Sequence, residues 1–137
     1  MTDFGIIGVG RIGTSFARNM SLNGIKVSLY DKNFDTSTYV KTHYSELESS
    51  LVFDDIKKFI SSISLPRKVL VFVPSGPSLD EVISLCIKNL NSNDILIDAG
   101  NTNPTISFEN HQKIKSQNLL YIGMGVSGGV EGVFKGP

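Results

Sequence analysis

The residues of this chain whose types and spacing could do chemistry begin near its N-terminus. Gly8-Val9-Gly10-Arg11-Ile12-Gly13 has the spacing G-x-G-x-x-G, and an acidic residue, Asp31, follows 23 residues after Gly8. Glycines so placed suit a phosphate. The first makes a tight turn, the second lets backbone approach a pyrophosphate, and the third lets a helix pack closely on a strand. The start of that helix would supply the positive end of its dipole, and Asp31 would accept hydrogen bonds from ribose hydroxyls. Three glycines in six residues carry little weight alone. Here they follow an apolar run, Phe4–Ile7, and open a stretch with Ile12, Phe16 and Met20 on one helical face beside Ala17. A second apolar run, Lys26–Tyr30, then leads to Asp31. Without a ligand, the same residues read as a glycine turn and a solvated aspartate.

Two further clusters lie toward the C-terminus. Asp98-Ala99-Gly100-Asn101 turns out of an apolar run, and Asn101 is either a turn residue or a polar group offered to a ligand. The last thirteen residues, Gly125 to Pro137, hold five glycines and Ser127. They read as a loop built for close approach to a ligand, or as a flexible tail, and the chain is expected to be one part of a larger protein. His43 and His111 have no paired acid or serine at recognisable spacing. Cys86 falls on an apolar helical stripe and reads as a core residue. Asp54-Asp55 beside Lys57-Lys58 reads as a helix cap and a solvated face. No metal site is expected, because a single cysteine excludes a cysteine cluster.

The elements that must position these groups alternate short apolar runs with helical stretches, which predicts a parallel α/β sheet. Strands are expected at Phe4–Ile7, Lys26–Tyr30, Leu51–Phe53, Val69–Val73, Ile95–Ile97 and Leu119–Ile122. The helix after Gly13 should stop at Asn23-Gly24, and a short helix is expected between Asp31 and Ser50. Asp54 would cap a helix running to about Ser62. Leu79, Val82, Ile83, Cys86 and Leu90 form a clear stripe, and Pro104 to about Gln117 is expected to be helical. At 137 residues, 40% of them apolar and 19% charged, this is one globular domain. Thirteen basic and thirteen acidic residues cancel, so no overall field favours nucleic acid or an anionic membrane. The N-terminus lacks the basic stretch of a secretion signal, and a cytoplasmic protein is expected.

At this point the chain resembles the N-terminal coenzyme domain of the 6-phosphogluconate dehydrogenases, within the wider β-hydroxyacid dehydrogenases. The resemblance rests on Gly8–Gly13, Tyr30-Asp31-Lys32-Asn33 and Pro66-Arg67-Lys68. It rests further on Asp98-Ala99-Gly100-Asn101-Thr102 and on Gly125-Val126-Ser127-Gly128-Gly129 with Glu131-Gly132 and Lys135-Gly136-Pro137. It implies a Rossmann-type, doubly wound, mostly parallel sheet with helices on both faces over residues 1–137. It also implies oxidative decarboxylation of 6-phosphogluconate to ribulose 5-phosphate by hydride transfer from C3 to NAD or NADP. Gly8, Val9, Gly10, Arg11, Ile12, Gly13, Asp31, Lys32, Val73, Pro74, Ser75 and Asn101 would then border the coenzyme, Val73 where its strand ends. Asn101, Ser127, Gly128 and Gly129 would hold the substrate. The family's commoner pair, asparagine then arginine, is Asp31-Lys32 here. A carboxylate there repels a 2′-phosphate and a lysine attracts one, so NAD is favoured and NADP remains possible. Ala99 stands for a usual glycine, tolerable if its φ is negative. The family's lysine base and glutamate acid lie in chain beyond Pro137, as does the helical domain that makes its dimers. No catalytic acid–base group is therefore expected in this chain, and alone it should bind a dinucleotide but turn over little. The alternatives are a dehydrogenase for a smaller 3-hydroxy acid, which the Asp98–Asn101 turn argues against, and a non-catalytic module sensing NAD(H).

Overall fold

The structure, a computed structural model, describes residues 1–74, 76–100, 112, 119–125 and 129–135. The strands are β1 (Phe4–Ile7), β2 (Val27–Tyr30), β3 (Leu51–Phe53), β4 (Lys68–Val71), β5 (Ile95–Asp98) and β6 (Leu120–Gly123), and helices alternate with them from β1 to β5. The helices are α1 (Arg11–Leu22), α2 (Phe34–His43), α3 (Ile56–Ser61), α4 (Pro77–Asn89) and α5 (Gly129–Lys135). The six strands form one sheet in the order β3-β2-β1-β4-β5-β6, and every pairing is parallel. Parallel strands need crossovers, and α1 to α4 supply those between successive strands from β1 to β5.

Successive side chains on a strand point to opposite faces, and the core divides accordingly. Ile6, Leu29 and Leu70 bury one face under Ala17 and Met20 of α1 and Val40 of α2. Ile7, Val69 and Val71 bury the other under Phe59 and Ile60 of α3 and Leu79, Ile83 and Cys86 of α4. Central strands covered on both faces explain why the sequence shows near-continuous apolar runs instead of alternation. Gly5 lets α3 sit close on the sheet: a Cβ there would lie 2.6 Å from Phe59 Cζ. Buried hydroxyls at the same end are paired, Thr2 with Ser28 at 2.7 Å and Ser28 with Ser62 at 2.6 Å. Asp94, at the amino ends of the strands, accepts from the Arg67 and Asn91 backbone N–H groups at 2.8 Å each.

Several boundaries differ from the sequence reading. Asp55, not Asp54, caps α3, accepting from Lys58 N–H at 2.9 Å. The region after Asp31 holds a ten-residue helix, capped by Asn33, followed by a 3-10 turn at Ser45–Leu47. β4 stops at Val71, so Val73 lies in the following loop and not at a strand end. The second half of the glycine-rich tail is helical, with Gly129 its first residue. The helix expected over residues 104–117 falls, except for residue 112, outside the described residues. Among the described residues no helix is long and apolar enough to cross a membrane. No group of three or more metal-ligating side chains occurs among them.

Candidate functional site

β1 and β4 are neighbours whose chains leave the sheet in opposite directions, one into β2 and the other into β5. Their carboxyl ends therefore part, and the crevice between them is where open α/β sheets take ligands. The glycine loop enters this crevice directly from β1. Gly8 has φ 91°, and a Cβ there would come within 3.0 Å of the Phe72 carbonyl oxygen. A Cβ on Gly13 would overlap the Gly8 carbonyl oxygen. Both glycines are thus required by the fold: the first by its turn, the third by the approach of α1 to the loop.

Gly10 is different. Its φ of −73° suits any residue, and a Cβ there would meet nothing within 4 Å. It is also the N-cap of α1, with no side-chain cap and no acidic residue in the first turn. The N–H groups at the helix start are therefore left for an outside acceptor or water. The protein's own packing gives no reason for a glycine here, and a cradle that a Cβ would fill fits a pyrophosphate.

Asp31 follows β2 and turns back toward the loop. Its Oδ2 accepts from Val9 N–H at 2.9 Å and its Oδ1 from Asn33 N–H at 2.9 Å. The Val9 side chain points the other way, fully into the core. Thr14 Oγ1 donates to the Val9 carbonyl at 2.9 Å, so loop, helix and acid are tied at one residue.

These groups border a cleft of about 320 Å³. Gly8, Gly10, Asp31, Lys32, Val73 and Pro74, all candidates from the sequence, line it together. Ile7, Tyr30 and Phe72 extend its apolar walls, and α4 closes one side with Ser78, Glu81, Val82 and Leu85. The sequence reading missed the α4 wall. Its signal was the spacing of Ser78, Glu81, Val82 and Leu85, at i, i+3, i+4 and i+7, beside the buried stripe. Burial raises the Tyr30 hydroxyl pKa above its usual range, and Glu81, Asp55, Asp31 and Asp54 push it the same way.

Arg11 lines a second cleft of about 320 Å³ behind the loop, with Thr14, Arg18, Tyr39 and Val130. Ile12 and Gly13 line neither cleft. Arg18 in this second cleft lies over the Phe134 ring at 3.8 Å and the Tyr44 ring at 4.2 Å, and its Nη2 pairs with Glu46 Oε1 at 2.7 Å. Asn19 Nδ2 donates to the Phe134 carbonyl at 2.8 Å, fastening α5 to α1. That hydrogen bond from Arg18 holds the Glu46 carboxyl below its usual range.

After β5, Gly100 N–H donates to Asp98 Oδ1 at 3.1 Å, and a Cβ on Gly100 would overlap the Val73 carbonyl oxygen. The chain therefore leaves β5 against the crevice wall. Ala99 causes no strain, since Asn93 is the one non-glycine residue at positive φ among those described. Ser75, Asn101, Ser127 and Gly128 lie outside the described residues.

A sequence profile described as the NAD binding domain of 6-phosphogluconate dehydrogenase matches residues 3–137. A decarboxylating 6-phosphogluconate dehydrogenase of Chlamydia trachomatis is 36% identical over 99% of the chain, which covers 28% of that protein. The NADP(+)-dependent decarboxylating enzyme of Bacillus subtilis is 33% identical over 97% of the chain and 28% of its own length. A solved 6-phosphogluconate dehydrogenase of Plasmodium falciparum, studied with its cofactor NADP+ and its substrate 6-phosphogluconate, superposes with a TM-score of 0.90. It is 29% identical, over 96% of this chain and 28% of that one. The chain thus spans little more than a quarter of the length of these relatives. With its all-parallel sheet, its glycine loop and these matches, the chain belongs to the family of NAD-binding domains of 6-phosphogluconate dehydrogenase.

Proposed function

We propose that this chain is the coenzyme-binding domain of a decarboxylating 6-phosphogluconate dehydrogenase, and that it takes NAD in preference to NADP. The observation that carries the reading is Gly10: a glycine with ordinary φ, open space above it and an uncapped helix start behind it. Gly10 and the first N–H groups of α1 would hold the pyrophosphate, and the lone pairs of Asp31 left over from its backbone bonds would take the ribose hydroxyls. The preference for NAD rests on charge. Asp31, Glu81, Asp54 and Asp55 all act on the Tyr30 hydroxyl, and among the described residues lining the cleft Lys32 is the one basic side chain. A 2′-phosphate would enter a mostly negative rim.

The coenzyme, once bound, would supply the acceptor for a hydride from C3 of the sugar acid. Val73 and Pro74 would border the coenzyme from the loop after β4, with Ser75 beside them. Asn101, Ser127, Gly128 and Gly129 would position the substrate, Asn101 near the nicotinamide and the other three at the carboxylate. The reading assigns this chain no acid–base group. Those groups typically contribute about 10²–10⁴-fold, so the chain alone is expected to bind without appreciable turnover.

Titration calorimetry of the chain with NAD and NADP tests the reading. NAD is expected to bind about tenfold tighter, equivalent to about 1.4 kcal/mol. Gly10→Val should abolish binding of both while the far-ultraviolet circular dichroism is retained. Tighter binding of NADP would overturn the preference, and unimpaired binding by the valine variant would overturn the site.

A further inference from the structure

The α4 wall of the cleft has no part in the loop-and-carboxylate arrangement described above. Glu81 lies on it between Ser78, one turn earlier, and Leu85, one turn later. Tyr30 lines the same cleft, its ring held against Phe59 at a centroid distance of 5.7 Å, and Glu81 is foremost among the charges acting on its hydroxyl. Ile7, Phe72, Val82 and Leu85 add apolar surface to the same cleft. Among the described residues neither the Tyr30 hydroxyl nor the Glu81 carboxylate has a hydrogen-bond or ion-pair partner. An apolar slot next to Asp31 thus carries one hydroxyl and one carboxylate without a task in the protein.

A flat base attached to a ribose at Asp31 has this slot as its nearest apolar space. Adenine presents on one edge a donor, the exocyclic N6 amine, beside an acceptor, N1. Hypoxanthine and guanine reverse that order, with an O6 acceptor beside an N1–H donor. Resting on the coenzyme reading above, we propose that Tyr30 and Glu81 are the residues that select adenine, Glu81 accepting from N6 and the Tyr30 hydroxyl donating to N1. A carboxylate cannot donate, so O6 in place of N6 would face it acceptor to acceptor. Burial and the neighbouring acids keep the Tyr30 hydroxyl protonated and able to donate.

The test compares binding of NAD and of nicotinamide hypoxanthine dinucleotide to the 137-residue chain by titration calorimetry. The chain is expected to prefer NAD by about tenfold, the scale of one charge-assisted hydrogen bond. Glu81→Gln, whose amide can donate to O6, should bring the ratio close to one. Tyr30→Phe keeps the packing on Phe59 and should weaken NAD binding by a few-fold, the scale of a neutral hydrogen bond. Equal affinities in the unaltered chain, or an unchanged ratio in Glu81→Gln, would overturn the proposal while leaving the coenzyme site intact. Failure to bind either dinucleotide would overturn both.

Discussion

At the scale of single residues, Asp31 is a carboxylate already half used. Each oxygen holds one backbone N–H, from the loop before it and the turn after it. A carboxylate has about four acceptor sites, so two remain for a ligand, in an orientation fixed before any ligand arrives. Asp31→Arg removes the repulsion toward a 2′-phosphate and adds a fork of donors. Its ratio of NADP to NAD affinity is expected to rise at least tenfold by calorimetric titration, and an unchanged ratio would refute the ribose role. Asp31 was legible in the sequence because its spacing from the glycines is set by one strand–helix–strand unit. Tyr30 and Glu81 were not. An exposed glutamate one position off a buried stripe reads as a solvated face, and only the rotation of α4 about its axis turns it into a wall.

At the scale of elements, the three glycines of one motif separate into two kinds. Gly13→Ala drives a methyl into the Gly8 carbonyl, a rigid backbone atom, and is expected to destabilise the chain by about 1–3 kcal/mol as overpacking does. Gly10→Ala meets open space, and its unfolding free energy should stay within about 1 kcal/mol of the parent. Urea denaturation of the two variants checks the contrast, and equal losses would contradict it. The positions of the strands along the chain were readable from the apolar runs, because a sheet buried on both faces demands them, whereas their order in the sheet was not. The boundaries were less so. Asp54 and Asp55 are chemically identical caps, and which one precedes the helix depends on where β3 releases the chain. Val73 is as apolar as its neighbours, yet β4 has ended by Val71, and the Val73 carbonyl faces Gly100.

At the scale of the whole molecule, α5 returns to lie on α1, joining residues 115 positions apart through Asn19 and Phe134. Nothing in local patterning links Arg18 to Phe134, so this contact was invisible in the sequence. Arg18→Met should loosen α5 and speed hydrogen exchange in residues 129–135 while dinucleotide affinity stays within about twofold, a change of roughly RT ln 2. Unaltered exchange would show that the guanidinium does not hold α5. The same arginine gives a pH signature. Because the folded Glu46 carboxyl titrates below its unfolded value, its stabilising contribution is complete above the unfolded pKa, about 4.3. It fades as pH falls through the lower folded value. The stability difference between the parent and Glu46→Gln, measured by denaturant titration, should therefore shrink below about pH 4.

Cys86 is the chain's single cysteine, fully buried under the sheet, and burial pushes its thiol up to about 12. In the folded protein it offers a reagent almost no thiolate and no access. It therefore acts as a clock without any engineering: each labelling event records an opening that reaches the α4 face of the core. A dinucleotide at about 100 times its Kd would slow that clock by about 100-fold, if it binds only the closed form. A buried thiol with no catalytic task thus becomes the molecule's own record of how often it comes apart.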